Sequence, residues 1–378
     1  MQTVVLSGYY GFDNAGDEAL LWSITSKLRE LRPGIRVIVL SANPSRTGEL
    51  YGVEAVPRAN LPVLLKCLAR ADLLISGGGS LLQDVTSWRS IVYYLGVIAL
   101  ARLLGTPVMY YAQGVGPINR RWTRWLTRVI SDRASLITLR DRGSLQELEG
   151  LGVKRPPMIV TADPVLGLEP TPVGGRSRVN EDAARLPVVG ISLRQWGRQD
   201  GYKRVVAEAA DFLSGRGWEV VFLPFHHPDD VQASLEVAAM MKRGSRVMEE
   251  RFTASALLEQ VGGLSLLIGM RLHSLIFAAV NGVPMLGISY DPKVDSFLAG
   301  IGRAPVGSVN DLLMRDMFSR LEQMLGRLDQ ERDYVLSQAE ALRERANQTA
   351  RLALKLLDNP KLDLVDDCQA VKTRYSGR

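Results

Sequence analysis

Short apolar segments, each followed by a longer stretch with helical spacing, recur through the first half of the chain and again through the second. This alternation builds βαβ units, because a parallel strand can rejoin its sheet only through a crossover, usually a helix. Residues 3–7, 36–41, 73–76, 108–112, 136–139 and 158–161 are predicted as strands, and helices are expected near 17–31, 61–69, 91–104, 123–133 and 142–151. Between Glu169 and Leu186 the pattern lapses into Pro170, Pro172, Gly174, Gly175 and Arg176, which is linker chemistry. Strands resume at 188–193, 219–224, 264–268 and 285–289, with helices at 202–214 and 254–260 between them. The fold class is therefore α/β, with two doubly wound Rossmann-like domains. The expected boundaries are 1–169, a linker at 170–186, 187–358 closed by long C-terminal helices, and a polar tail at 359–378 without fixed structure at its end.

At 378 residues the chain exceeds what one core usually supports, and its 46% apolar residues are enough for two. Cys67 and Cys368 lie far apart without CxxC spacing, so neither a disulfide framework nor a zinc site is expected and a reduced cytosol fits. The start lacks the basic and apolar regions of a signal peptide. The longest apolar run, 91–104, is broken by Arg102 and falls short of the roughly 20 residues that span a bilayer. A cytoplasmic location follows as an expectation, with 91–104 as a buried helix. The net charge of +6 favours acidic partners: a phosphorylated substrate, nucleic acid or an anionic membrane surface. No helix-turn-helix, RNP-like strand or zinc finger is legible, so nucleic acid is not expected.

Ligands of such sheets sit beyond the carboxyl ends of the strands, and three glycine-bearing loops fall there in the first half. The first, 8–18, carries Asp13, Asn14 and Asp17 ahead of a helix whose start favours anions. It lacks the spacing of a dinucleotide or Walker loop, and Asp17 also reads as a helix cap. The second, Gly77-Gly78-Gly79-Ser80, spends backbone entropy that is worthwhile where a ligand or another backbone must come close. The third runs from Gln113 to Pro117. Strand, glycines, helix and a Gly-x-Pro turn recur at 73–107 and 266–284, which supports two analogous sheets facing a cleft.

The second half concentrates cations. Arg271 and His273 follow a strand and open a helix, Arg194 follows strand 188–193, and Lys293 follows strand 285–289. Arg offers a fork of donors for carboxylate or phosphate, and His a titratable one. All three histidines, His226, His227 and His273, follow strands on this side. Elsewhere, Arg120, Arg121, Arg124 and Arg128 interleave with Trp122 and Trp125 on a predicted helix. That pattern suits an anionic membrane surface; the competing reading is a core stripe of Trp122, Leu126 and Val129 behind a solvated basic face.

At these residues the chain resembles the polysaccharide pyruvyl transferase family, close to its cell-wall ketal-pyruvyltransferase branch. The likeness runs from Leu6 to about Phe297 and rests on seven ordered motifs, at residues 11–18, 76–84, 113–118, 139–144, 162–164, 270–279 and 289–294. It implies a fold similar to the two-domain GT-B glycosyltransferases and phosphoenolpyruvate as donor substrate; no metal-ligand constellation is legible in the sequence, so no metal or further cofactor is expected. It also implies a sugar acceptor, lipid-linked in the cell-wall branch. Carried over to matching positions, Arg271, Leu272 and His273 would hold the donor, with Arg194 as a further candidate. The chemistry of the residues agrees: Arg194, Arg271 and Lys293 as an anion clamp, His273 or one of His226 and His227 as acid, and Asp13 as base. Asn14, Gly78, Gly79 and Gln113 join Asp13 on the acceptor side. Two other functions share these features: a GT-B glycosyltransferase using a nucleotide sugar, and a non-catalytic glycan- or phosphate-binding module.

Overall fold

A computed structural model of the protein describes residues 1–85, 87–171, 186–197 and 200–360. Most of the expected linker, all but two residues of the polar tail, and Cys368 lie outside the described residues. The chain forms two compact units, the first of Met1–Asp13, Asp17–Gly167 and the residues from Leu342 on, the second of Asn14–Gly16 and Leu168–Ala341.

In the first unit the strands are β1 (Thr3–Ser7), β2 (Arg36–Ser41), β3 (Glu54–Pro57), β4 (Leu73–Gly77), β5 (Val108–Gln113), β6 (Leu136–Leu139) and β7 (Met158–Val160). The intervening helices are α1 (Ala15–Leu31), α2 (Pro44–Tyr51), α3 (Leu61–Ala69), α4 (Trp88–Leu103), α5 (Arg121–Ser131) and α6 (Arg142–Leu151). The strands form one parallel sheet in the order β3-β2-β1-β4-β5-β6-β7, so the order reverses between β1 and β4. Both faces are covered, which is why β1 is apolar without alternation: Val4 and Leu6 enter one core, Val5 the other.

The second unit repeats the plan with β8 (Val188–Ser192), α7 (Gly201–Ser214), β9 (Glu219–Phe222), α8 (Asp229–Met240), β10 (Arg246–Val247), α9 (Ala254–Gly262), β11 (Leu266–Gly269), α10 (Leu272–Val280), β12 (Met285–Ser289), α11 (Pro292–Gly300), β13 (Gly307–Ser308) and α12 (Met314–Leu325). Its sheet runs β10-β9-β8-β11-β12-β13, all parallel, and reverses between β8 and β11. The last helix, α13 (Leu328–Asp358), carries the chain from the second unit back to the first. There Ala350, Leu352, Ala353, Leu356 and Leu357 join the core of Val4, Leu21, Ile24 and Ile75. The expected assignment of 187–358 to the second domain is therefore corrected from Leu342 on; helical spacing marks a helix but not the sheet it covers.

Local details differ from expectation for identifiable reasons. The first helix begins at Ala15, and the Asn14 side chain, not that of Asp17, accepts the Gly16 N–H at 3.0 Å. Helix α4 begins at Trp88, where Ser87 accepts the Arg89 N–H. Asp84 anchors α5: its carboxylate accepts from the Asn119 and Arg120 amides at 2.8 and 2.9 Å and from the Thr123 hydroxyl at 2.7 Å. Burial opposes ionisation of Asp84, but these donors and the Arg120 charge outweigh it and hold its pKa below the ordinary value. The core stripe read for α5 is corrected at Trp122, which is exposed with Trp125; Leu126 does pack against the core, but Thr123, Thr127, Ile130 and Ser131 are the residues buried there. Among the described residues no helix is long and apolar enough to cross a membrane.

Candidate active site

The carboxyl ends of β9, β8, β11 and β12 lie side by side in the second sheet, and the residues that follow these strands include His226, Arg194, Arg271 and Lys293. Tyr290 stands at the centre of this group. Its hydroxyl accepts from Arg194 Nη1 at 3.1 Å, the Arg194 guanidinium lies 4.9 Å from its ring centre, and Lys293 Nζ lies 5.5 Å from it. Burial alone would push the Tyr290 phenol up; Lys293, Arg194 and Arg271 outweigh it, and the pKa is lowered. The three cations singled out in the sequence thus act on one side chain.

Each cation is positioned from beneath. The Arg194 carbonyl accepts the Tyr202 hydroxyl at 2.9 Å, and Trp196 packs on Tyr290 with ring centres 5.0 Å apart. Lys293 lies in the first turn of α11, its Nζ 3.4 Å from Asp291, the residue that caps that helix. Arg271 immediately precedes α10 and is bound along its Nε and Nη2 edge by Asp230. Asp230 is fully buried and also accepts the Phe225 and His226 amides at 3.1 and 2.9 Å. Sequence reasoning missed this carboxylate; the sequence Pro228-Asp229-Asp230 shows it only as a charge suited to a helix start.

Leu272 is buried as the first residue of α10, and His273 beside it is half-buried. His226 sits 3.7 Å from Asp229, and burial, followed by the Arg271 charge, holds its pKa below the ordinary value. A depressed histidine is neutral near pH 7 and a poor proton donor there. His227 is half-buried and its Nε2 lies 3.1 Å from the Glu249 carbonyl. Asn14 also belongs to this unit, where it makes an isolated antiparallel bridge with His226.

In the first unit Asp13 adopts a left-handed backbone at φ 58°, rare for a residue other than glycine, and its carboxylate lies 3.3 Å from Arg46 Nε. Behind it the buried Glu18 accepts the Gly11 N–H at 2.8 Å, tying the loop to α1. Burial raises the Glu18 pKa against the lowering effect of that bond. Gly78 and Gly79 both have positive φ, and a Cβ on Gly79 would lie 2.9 Å from an Asp17 carboxylate oxygen. The close approach of α1 therefore accounts for these glycines by itself. Gln113 is fully buried and accepts the Ser76 hydroxyl at 3.1 Å, joining β4 to β5. Arg140, quoted above only as part of a motif, is buried among Ser80 at 2.7 Å, Asp163 at 3.4 Å and Asp141 at 3.5 Å. Among the described residues no three His, Cys, Asp or Glu side chains are grouped to hold a metal.

Solved structures share the fold. The chain superposes on a UDP complex of MnaA from S. aureus with a TM-score of 0.66 at 9% identity, covering 95% of this chain and 97% of that one. It superposes on UDP-GlcNAc 2-epimerase from Neisseria meningitidis with a TM-score of 0.64 at 13% identity, covering 95% and 100%. The GT-B-like fold class is borne out. In sequence, the amylovoran biosynthesis protein AmsJ of Erwinia amylovora is 23% identical over 299 residues, 70% of this chain and 71% of AmsJ. The profile of one family, described as polysaccharide pyruvyl transferase, matches residues 14–292, which span both motif-bearing halves. This chain, a transferase, belongs to the polysaccharide pyruvyl transferase family.

Proposed function

We propose that the protein transfers the enolpyruvyl group of phosphoenolpyruvate to a sugar of a cell-wall or surface polysaccharide precursor, forming a pyruvate ketal. The observation that carries this reading is the placement of Arg194, Arg271 and Lys293 after the adjacent strands β8, β11 and β12, with Arg194 and Lys293 both against Tyr290. Phosphoenolpyruvate brings a carboxylate and a phosphate, and a cluster of cations at the ends of adjacent strands is suited to bind both. With Asp230 on one edge of the Arg271 guanidinium, the opposite Nη1 edge is the one for the donor.

Ketal formation needs protonation of the donor methylene, addition of two sugar hydroxyls to the central carbon, and departure of phosphate by cleavage of its bond to that carbon. His273 is assigned as the acid because it stands in the first turn of α10, two residues after Arg271, where the resemblance puts the donor. Asp13 is assigned as the base for the acceptor hydroxyl. The acceptor is proposed to be lipid-linked, as the resemblance implies, and the protein to act in the cytoplasm.

The test is incubation with phosphoenolpyruvate and a panel of lipid-diphosphate disaccharides, read by mass spectrometry and phosphate release. A pyruvylated product with stoichiometric phosphate is expected. Turnover of a UDP-sugar without binding of phosphoenolpyruvate would replace this reading with glycosyl transfer. Ligand binding without phosphate release from any acceptor would replace it with a binding module.

A further inference from the structure

We propose that the outer face of α5, together with the start of α4, is a docking surface for a bilayer carrying anionic lipid. The face reverses ordinary amphipathicity. Small hydroxyl residues Thr123 and Thr127 point into the unit, while Trp122 and Trp125 are 44% and 63% exposed. Trp88, 42% exposed at the first position of α4, meets Trp122 edge-on with ring centres 5.8 Å apart. Three indoles are thus held at the surface of one unit, where soluble proteins seldom cluster large apolar groups without a partner.

The charge around them selects the partner. Arg89, Arg120, Arg121 and Arg128 are exposed, and the Arg89 guanidinium lies 5.6 Å from the Trp88 ring centre. No acidic residue occurs within α5. The carboxylates nearest the helix are already engaged: Asp84 by the amides at its start, Glu147 by Arg124 at 3.2 Å, and Asp132 by the Lys154 and Arg155 amides. Arg124 is correspondingly withdrawn from the group of four arginines expected from the sequence, because it also donates to the Ile118 carbonyl. Indoles prefer the headgroup level of a membrane, and arginines beside them are drawn to anionic lipid. The Asp84 anchor holds α5 at its first turn, beside the exposed Trp122.

The experiment is co-sedimentation of the full chain with phosphatidylcholine vesicles, with and without phosphatidylglycerol, at low and high salt. Binding only to the anionic vesicles, released by salt, is expected. The Arg120→Gln, Arg121→Gln, Arg128→Gln triple variant and the Trp122→Ala, Trp125→Ala double variant should each lower the partition coefficient at least about tenfold, with unchanged circular dichroism. Absence of wild-type binding to anionic vesicles at low salt overturns the proposal. So does a triple variant that binds like wild type. Self-association lost in the tryptophan variant, without vesicle binding, would reassign the face to contact between copies of this chain and would equally overturn it.

Discussion

Asp230 accepts from Arg271 through both Nε and Nη2 while capping the Phe225 and His226 amides with the same carboxylate. One buried anion therefore sets the position of the central cation and of the loop that carries a histidine. Asp230→Asn should lower stability by roughly 3–5 kcal/mol, the scale for breaking a buried pair that leaves its partner unsatisfied. It should also weaken phosphoenolpyruvate binding at least about tenfold. Chemical denaturation and calorimetry measure the two effects; a variant with the wild-type unfolding midpoint and affinity would show that Arg271 holds its place without Asp230.

Arg271→Ala is expected to abolish turnover chiefly through loss of the donor, since removing a charged hydrogen-bonding partner costs about 1.5–3 kcal/mol or more. Binding of phosphoenolpyruvate at wild-type strength by this variant, with intact circular dichroism, would remove Arg271 from the clamp.

His273→Gln separates chemistry from binding. Donor affinity should stay within about tenfold of wild type while the rate falls by about 10² to 10⁴. A near-normal rate moves the acid to His226 or His227, and near-normal rates in all three glutamine variants exclude a histidine acid.

Tyr290 offers an optical report on the cations. Its lowered pKa means that tyrosinate absorbance of the wild type, minus that of Tyr290→Phe, should rise at a lower pH than for an ordinary tyrosine near 10. A folded pKa below the unfolded one adds stability that is fully present above the unfolded value and is lost as pH falls through the folded value. Wild type should accordingly gain on Tyr290→Phe as pH rises through that window. Bound phosphoenolpyruvate should move the transition upward by offsetting the cations, and a transition indifferent to it would place the donor elsewhere.

Glu18 runs the opposite way. Its pKa is raised, so its contribution to stability is fully present below the unfolded value and is lost as pH rises through the folded one. Denaturation of wild type and Glu18→Gln across pH 3–8 should show the glutamine variant gaining relative stability as pH rises. Equal pH dependence of the two would mean that Glu18 ionises without cost.

The parallel sheets were legible because their central strands are buried on both faces and read as near-continuous apolar runs, as at Val188–Ser192 and Leu136–Leu139. The edge strands Glu54–Pro57, Arg246–Val247 and Gly307–Ser308 are short and incompletely buried, and they left no such run. In the site, cations at strand ends announced themselves by position, and the resemblance named Arg271, Leu272 and His273. Asp230 and Tyr290 stayed hidden because their roles arise from contacts with residues 41 positions away, for Asp230, and 96 positions away, for Tyr290. The outward turn of Trp122 and Trp125 was legible only as one of two readings, since periodicity fixes which residues share a face but not which face is covered.

The return of α13 to the first unit sets an order for synthesis. Leu352, Leu356 and Leu357 form part of the core around Val4 and Leu21, so the strands of the first unit must wait for α13, which is translated after every strand of the second unit. Apart from Asn14–Gly16, the second unit is continuous from Leu168 to Ala341 and has all its strands before that point. Nascent chains usually complete their amino-terminal domain first; here the core of the first unit is completed only by residues beyond Ala341, so a chain stopped there should leave the earlier domain as an unfinished client of chaperones.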